Sequence, residues 1–276
     1  MTWQPHQRST NEPPPPPLPL ASCLLPTYNK FASSRYEDCT VLVEEAVESF
    51  LRQTYPNKEL LLVNDCPVQT YECSAPGVTV INLPRRFRSL GEKLNFMIGI
   101  SKGDLLFRWD DDDIQLPWRL QTQVDLLADW SYINVRGFWF DMQGQCKFET
   151  GTAYCQTAFR RELYVTLRGY TFMGVGEDMD FQSRAEKVDP DGFFRGSFTE
   201  HEAVGIYRWG TGSEHVSGYG DPGYEKMGET QIKPGHKVLQ PRWRVNYVDK
   251  VKGVSSATTT APPAPRAIAW PHHKVK

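Results

Sequence analysis

Gly103-Asp-Leu-Leu-Phe-Arg-Trp-Asp-Asp-Asp-Asp-Ile114 is the stretch whose reading decides the fold. Leu105 to Trp109 is a short hydrophobic run and reads as a buried strand. It ends in four consecutive carboxylates, Asp110, Asp111, Asp112 and Asp113. Charges packed that densely repel one another, and a divalent cation removes the repulsion. Hard cations such as Mg²⁺ and Mn²⁺ take oxygen ligands. Alternation along a strand points Asp110 and Asp112 to the same side. An acidic, solvated turn has the same composition. The strands and helices around the run separate the two readings.

Upstream, Ser22 to Asn29 reads as a first strand, stopped by Pro26 and followed by polar Thr27, Tyr28 and Asn29. Apolar groups at Leu42, Val43, Ala46, Val47, Phe50 and Leu51 have helical spacing over residues 40 to 53. Glu59 to Asp65 is continuously apolar before its polar end, as in a parallel strand covered on both faces. Val78 to Leu83 is a third strand and Leu90 to Ser101 a second helix. Strand, helix, strand, strand, helix, strand predicts an α/β fold with a mostly parallel central sheet flanked by helices. Such sheets bind ligands beyond the carboxyl ends of their strands. Tyr28, Asp65 and the aspartate run all fall at such ends.

Further on, Pro117 to Trp130 reads as a helix, Tyr132 to Phe140 and Ala153 to Phe159 as strands, and Arg161 to Leu167 as a short helix. Gly174-Val-Gly-Glu-Asp-Met-Asp180 is a glycine-rich turn entering a helix that ends near Lys187. Residues 188 to 203 read as loop, and Ile206 to Trp209 as a short strand. The expected organisation is a proline-rich disordered tail over residues 1–20, one domain over residues 21–250, and a disordered tail over residues 251–276. Within the domain, residues 21–115 and residues 116–250 form two halves.

The chain has 276 residues, of which 39% are hydrophobic and 12% aromatic, enough for a sizeable core. A net charge of −2 gives no electrostatic case for nucleic acid or an anionic membrane. The six cysteines form no CxxC pair, which favours a reduced, cytoplasmic protein over a disulfide or zinc framework. No apolar run approaches the ~20 residues of a membrane helix.

Taken in order, Leu25-Pro-Thr-Tyr-Asn29, Val47 to Pro56, Leu60-Leu-Leu-Val-Asn-Asp65, Gly91-Glu-Lys-Leu-Asn95, Gly103 to Asp113 and Gly176-Glu-Asp-Met-Asp180 resemble the family 2 glycosyltransferases of the GT-A fold. The resemblance covers about residues 21 to 190, and it implies a donor-binding half over residues 21–115 and an acceptor and catalytic half over residues 116–250. It implies that Pro26, Thr27 and Tyr28 line the base of a UDP- or GDP-type sugar donor and that Asp65 grips the base or ribose. It implies that Arg86 and Lys93 lie near the donor. Asp110-x-Asp112 matches the metal-binding DxD motif, so Asp110 and Asp111 face the donor while Asp112 and Asp110 hold Mn²⁺ or Mg²⁺. The register stays open by one residue, with Asp112 favoured. Glu177-Asp178 matches the acidic pair that supplies the catalytic base, with Asp178 preferred. Cys66-Pro67 stands where relatives carry a Gly-Ser type turn. His215 is a candidate third metal ligand in a glycine-rich segment, Arg208 a candidate phosphate partner, and Trp109, Trp139 and Trp209 candidate sugar-stacking groups. Arg160 and Arg161 read as helix-end charges.

The expected chemistry is a single in-line displacement with inversion. The diphosphate leaves stabilised by a metal ion as Lewis acid, and a carboxylate takes the proton of the acceptor hydroxyl. The acceptor is a saccharide, a lipid-linked group or a protein. Two other readings remain at this point: a nucleotidyltransferase on a related sheet, and a non-catalytic nucleotide-sugar-binding protein. Leu24 to Asn29 lacks the glycine-rich phosphate loop that nucleotidyl transfer needs.

Overall fold

The continuously apolar runs become the centre of a sheet. The computed structural model describes residues 17–31, 39–142, 145–173, 176–209 and 232–256. The first elements are β1 (Ala21–Thr27), α1 (Thr40–Leu51), β2 (Lys58–Asn64), β3 (Gln69–Glu72), β4 (Val78–Asn82), α2 (Leu90–Ile100) and β5 (Leu105–Arg108). Then come β6 (Ile114–Gln115), α3 (Arg119–Leu127), β7 (Tyr132–Ile133), β8 (Arg136–Met142) and β9 (Gln145–Thr152). A 3-10 turn at Tyr154–Gln156 leads to β10 (Ala158–Arg160), α4 (Arg161–Thr166), α5 (Glu177–Val188), β11 (Phe193–Phe194), β12 (Gly205–Trp209), β13 (Gly235–Val238) and α6 (Tyr247–Ser256).

The main sheet has seven strands in the order β11-β7-β10-β5-β1-β2-β4. β1 is parallel to both β2 and β5, β2 to β4, and β7 to β11, while β10 runs antiparallel to β5 and β7. The expected mostly parallel sheet is present. The chain leaves β1 for β2 and β4 on one side and returns to β5 on the other. The order therefore reverses between β1 and β5, where open α/β sheets form their ligand crevice. One face packs Leu25, Val47, Phe50, Leu62, Phe107 and Trp109 into a core; the other packs Leu24, Val63, Leu94, Ile98, Leu106 and Phe181.

Pro26 does not stop β1, which continues to Thr27 and stays in register with β2, Pro26 opposite Val63. Leu24 O accepts from Trp109 N at 3.0 Å, so alternate residues of β1 turn toward β5. Pro26 turns the same way, but pairing with β5 ends at Leu24 opposite Arg108. The N–H that proline lacks therefore falls where β5 has already diverged. The gap holds the aspartate run.

Tyr132 to Phe140 is not one strand. It divides into β7 in the main sheet and β8 in a four-stranded sheet ordered β6-β12-β8-β9. A third sheet pairs β13 with β3 in parallel, Gly235 opposite Gln69. Helix α6 extends to Ser256, beyond the expected end of the domain at 250, because Tyr247 and Val251 bury against Ile114, Leu116, Trp139 and Ile206. Among the described residues, no helix is long and apolar enough to cross a membrane.

Gly91 lies against the Thr171 carbonyl so closely that a Cβ there would overlap backbone oxygen. Gly91→Ala is expected to cost ~1–3 kcal/mol by overpacking, measured as a lowered urea midpoint at unchanged slope. A midpoint equal to that of the parent protein would show that the 170–173 segment yields freely.

Candidate active site

Beyond Trp109 the chain leaves the strand and turns. Residues 110–113 form a turn before β6, so strand alternation no longer applies. Instead of Asp110 and Asp112 sharing a side, Asp110 and Asp113 come together. One oxygen from each and the Cys155 sulfur lie within 4.8 Å of one another. Asp111 and Asp112 face Lys30, whose ammonium lies 3.0 Å from Asp111 Oδ1 and 3.8 Å from Asp112 Oδ2. Burial, with Asp112 and Asp110 beside it, pushes the Asp113 carboxyl well above the usual carboxylate range. Burial also raises Asp111, with Lys30 opposing. The converging oxygens of Asp110 and Asp113 suit a hard or borderline divalent cation, and the Cys155 thiol beside them is a softer donor.

Arg108, the charged residue inside the apolar run of β5, links the turn to α5. Its Nε donates to Asp110 Oδ1 at 2.6 Å and its Nη1 to Glu177 Oε1 at 3.2 Å. Helix α5 starts from Gly176, whose φ of +83° is backbone that glycine adopts without strain. Glu177 is buried, which raises its pKa, and Arg108 opposes the rise. Asp178 is half-buried, with Oδ1 accepting from Met179 N at 2.7 Å. The acidic pair of α5 thus lies at the same rim as the aspartate turn.

The Gly91-to-Asn95 segment divides its work by helical spacing. Gly91 and Asn95 share a face that receives residues 170 and 171. Asn95 brackets Tyr170, donating to its carbonyl at 2.9 Å and accepting from its N–H at 2.8 Å. Lys93 faces the sheet, where Nζ donates to Asp65 Oδ1 and to the Thr27 carbonyl, each at 2.7 Å. Asp65 Oδ2 accepts from Phe87 N at 2.9 Å. The Arg86 guanidinium lies 4.1 Å above the Tyr28 ring. Pro26, Thr27, Tyr28, Asp65, Arg86 and Lys93 therefore gather at the ends of β1 and β2.

Other candidates part company with these. Arg208 is buried, with Nη1 2.6 Å from Glu45 Oε2 and its backbone N donating to Asp113 Oδ1 at 2.8 Å; Nε donates to the Asp112 carbonyl. It braces the aspartate turn from behind. Trp109 is fully buried, donating to the Ala46 carbonyl at 2.9 Å, and Trp139 is buried against Phe148, so both are core groups rather than sugar platforms. Arg160 and Arg161 bond the closing carbonyls of α3 and α2 respectively, including Ala128 and Ile98, as helix-end charges do. His215 and Gly174 lie outside the described residues. Lys30, Arg108, Glu45 and Cys155 were not singled out in the sequence. A lone arginine within the apolar stretch 105–109 was the legible signal among them.

Comparison with known proteins identifies the family. The model of glycosyl transferase family 2 matches residues 22–172, more than half of the chain. The putative glycosyltransferase EpsE of Bacillus subtilis is 26% identical over 176 residues, which are 55% of this chain and 60% of that protein. An "Uncharacterized glycosyltransferase" of Rickettsia felis is 31% identical over 113 residues, 40% of this chain and 17% of that protein. The chain thus spans less than two thirds of these curated relatives. S. aureus TarS 1–349 in complex with UDP superposes with a TM-score of 0.51 at 14% identity, covering 69% of this chain and 60% of that one. Its complex with UDP-GlcNAc gives 0.50 at 15% identity, covering 69% and 58%. The fold is GT-A, and the chain belongs to glycosyl transferase family 2.

Proposed function

We propose that the chain is a divalent-cation-dependent, inverting glycosyltransferase that moves a sugar from a UDP- or GDP-type donor to an acceptor hydroxyl. The observation that carries the reading is the Arg108 bridge, which ties Asp110 of the aspartate turn to Glu177 beside Asp178. Tyr28 and Arg86 stack to form a platform for the base, and Asp65, held by Lys93, offers a fixed carboxylate beside it. Asp112, with Asp110 and Asp113, would hold Mg²⁺ or Mn²⁺. A cation bound there would neutralise charge on the departing diphosphate. Asp178 takes the proton of the acceptor hydroxyl as it attacks the anomeric carbon. One base and one assisted leaving group give inversion, with no second carboxylate nucleophile.

A thermal-shift panel of UDP- and GDP-sugars, with and without Mn²⁺, tests the donor side. Ligand at ~100 times its Kd stabilises the folded state by ~2.7 kcal/mol. For a domain of this size that is a rise in Tm of roughly 5–10 °C. UDP-sugars are the first arm, since the TarS complexes hold UDP and UDP-GlcNAc. The expected result is a rise for one nucleotide class that grows with Mn²⁺. A flat panel overturns the donor reading, and a rise indifferent to Mn²⁺ overturns the cation.

A further inference from the structure

Lys30 follows Asn29, whose φ of +49° turns the loop after β1 back over the aspartate turn. Asparagine tolerates that conformation better than most residues, and Gln69 Nε2 anchors its side-chain oxygen at 3.0 Å. The turn carries the Lys30 ammonium into the carboxylates: its side chain is 5% exposed, with Asp111 at 3.0 Å and Asp112 at 3.8 Å. A monovalent cation carried by the chain itself thus stands against the oxygen of Asp112. A divalent ion bonded to Asp112 would sit a few ångströms from that ammonium. Two cations that close in a partly buried site repel strongly.

We propose that Lys30 is the resident counter-cation of the aspartate turn and competes with the divalent metal ion, which must displace it in order to bind Asp112. This rests on the reading of Asp112 as a metal ligand. Lys30 stabilises the clustered carboxylates before the donor arrives and holds metal loading down. When the ion binds, the ammonium is expelled from Asp111 and Asp112, and the donor's diphosphate offers it a new anionic partner.

Mn²⁺ titration of the donor-free protein, followed by loss of the free-ion electron paramagnetic resonance signal, tests this. Lys30→Met keeps the side-chain length and removes the charge; Lys30→Arg keeps the charge. Lys30→Met is expected to bind Mn²⁺ at least about tenfold more tightly than the parent protein, with Lys30→Arg close to the parent. Far-UV circular dichroism checks that both variants fold. In the parent protein, Mn²⁺ is expected to raise acylation of the Lys30 amine several-fold, read by peptide mass spectrometry. That measurement decides the matter if Lys30→Met does not fold. Unchanged or weaker Mn²⁺ affinity in a folded Lys30→Met, or unchanged Lys30 labelling, overturns the competition. If the parent nevertheless binds Mn²⁺ together with UDP, the metal reading stands and only the role of Lys30 falls. If neither protein binds Mn²⁺ with or without UDP, both fall.

Discussion

Asp178→Asn is expected to lower sugar transfer by ~10²–10⁴-fold, the usual contribution of a positioned general base, while leaving donor binding intact. Asparagine keeps the volume and the oxygen that accepts from Met179 N, so the first turn of α5 has no reason to change. What disappears is the capacity to take a proton. Glu177 is poorly placed to substitute, because it is buried and joined to Arg108. The measurement pairs nucleotide release with the thermal shift produced by the same donor. Lost turnover with an unchanged shift supports the base assignment, and full turnover refutes it. Loss of both would mean that Asp178 holds the donor instead.

The strands most legible in the sequence are those buried on both faces. β2 and β5, and β1 apart from its end at Thr27 rather than Pro26, read correctly because a covered parallel strand leaves little room for polar residues. Leu60 to Val63 are buried without exception. β3, β9 and β13 escaped notice for the opposite reason. β9 is Gln-Cys-Lys-Phe-Glu-Thr-Gly-Thr with only partial burial, and β13 pairs with β3 across more than half of the chain. Pairing at that separation leaves no local pattern to read. The site divides in the same way. Polar strand ends at Tyr28, Asp65 and Asp110 were visible, since each interrupts an apolar run. The arrangement inside the aspartate turn was not, because strand periodicity was extended past the end of the strand. The groups that complete the turn arrive from three distant segments: Lys30 and Cys155 announce themselves only once folded, and Arg208, expected beside a phosphate, instead joins Glu45 to the turn.

Glu45→Gln is expected to be the most destabilising single change outside the hydrophobic core. Glu45 lies on α1 among Leu42, Val43 and Ala46, and is fully buried. Its Oε2 meets Arg208 Nη1 at 2.6 Å and Arg244 Nη2 at 2.9 Å; its Oε1 accepts from Arg244 N at 3.0 Å and from the Tyr247 hydroxyl at 2.9 Å. One carboxylate thus joins α1, β12 and the start of α6. Removing its charge leaves the buried Arg208 guanidinium without its ion-pair partner, a loss of ~3–5 kcal/mol. That corresponds to a fall in Tm of roughly 10 °C for a chain of this size. Burial alone would raise the Glu45 pKa, but Arg244 and Arg208 outweigh it and hold the carboxyl at about 2, against 4.5 ordinarily. A folded-state pKa below the unfolded one gives stability that is complete above pH 4.5 and lost as pH falls toward 2. The stability gap between parent and Glu45→Gln should therefore be constant from neutral pH down to about 4.5 and narrow below it. Urea midpoints at pH 7, 5 and 3 measure this directly, and a gap under about 1 kcal/mol at pH 7 would dismiss the ion pair as a stabilising element. Because Arg208 also holds Asp113 and the Asp112 carbonyl, the variant should lose part of its Mn²⁺-dependent donor shift even at temperatures where it is fully folded. Glu45 is thus tied to the acidic turn through Arg208, whose Nε donates to the Asp112 carbonyl and whose backbone N donates to Asp113.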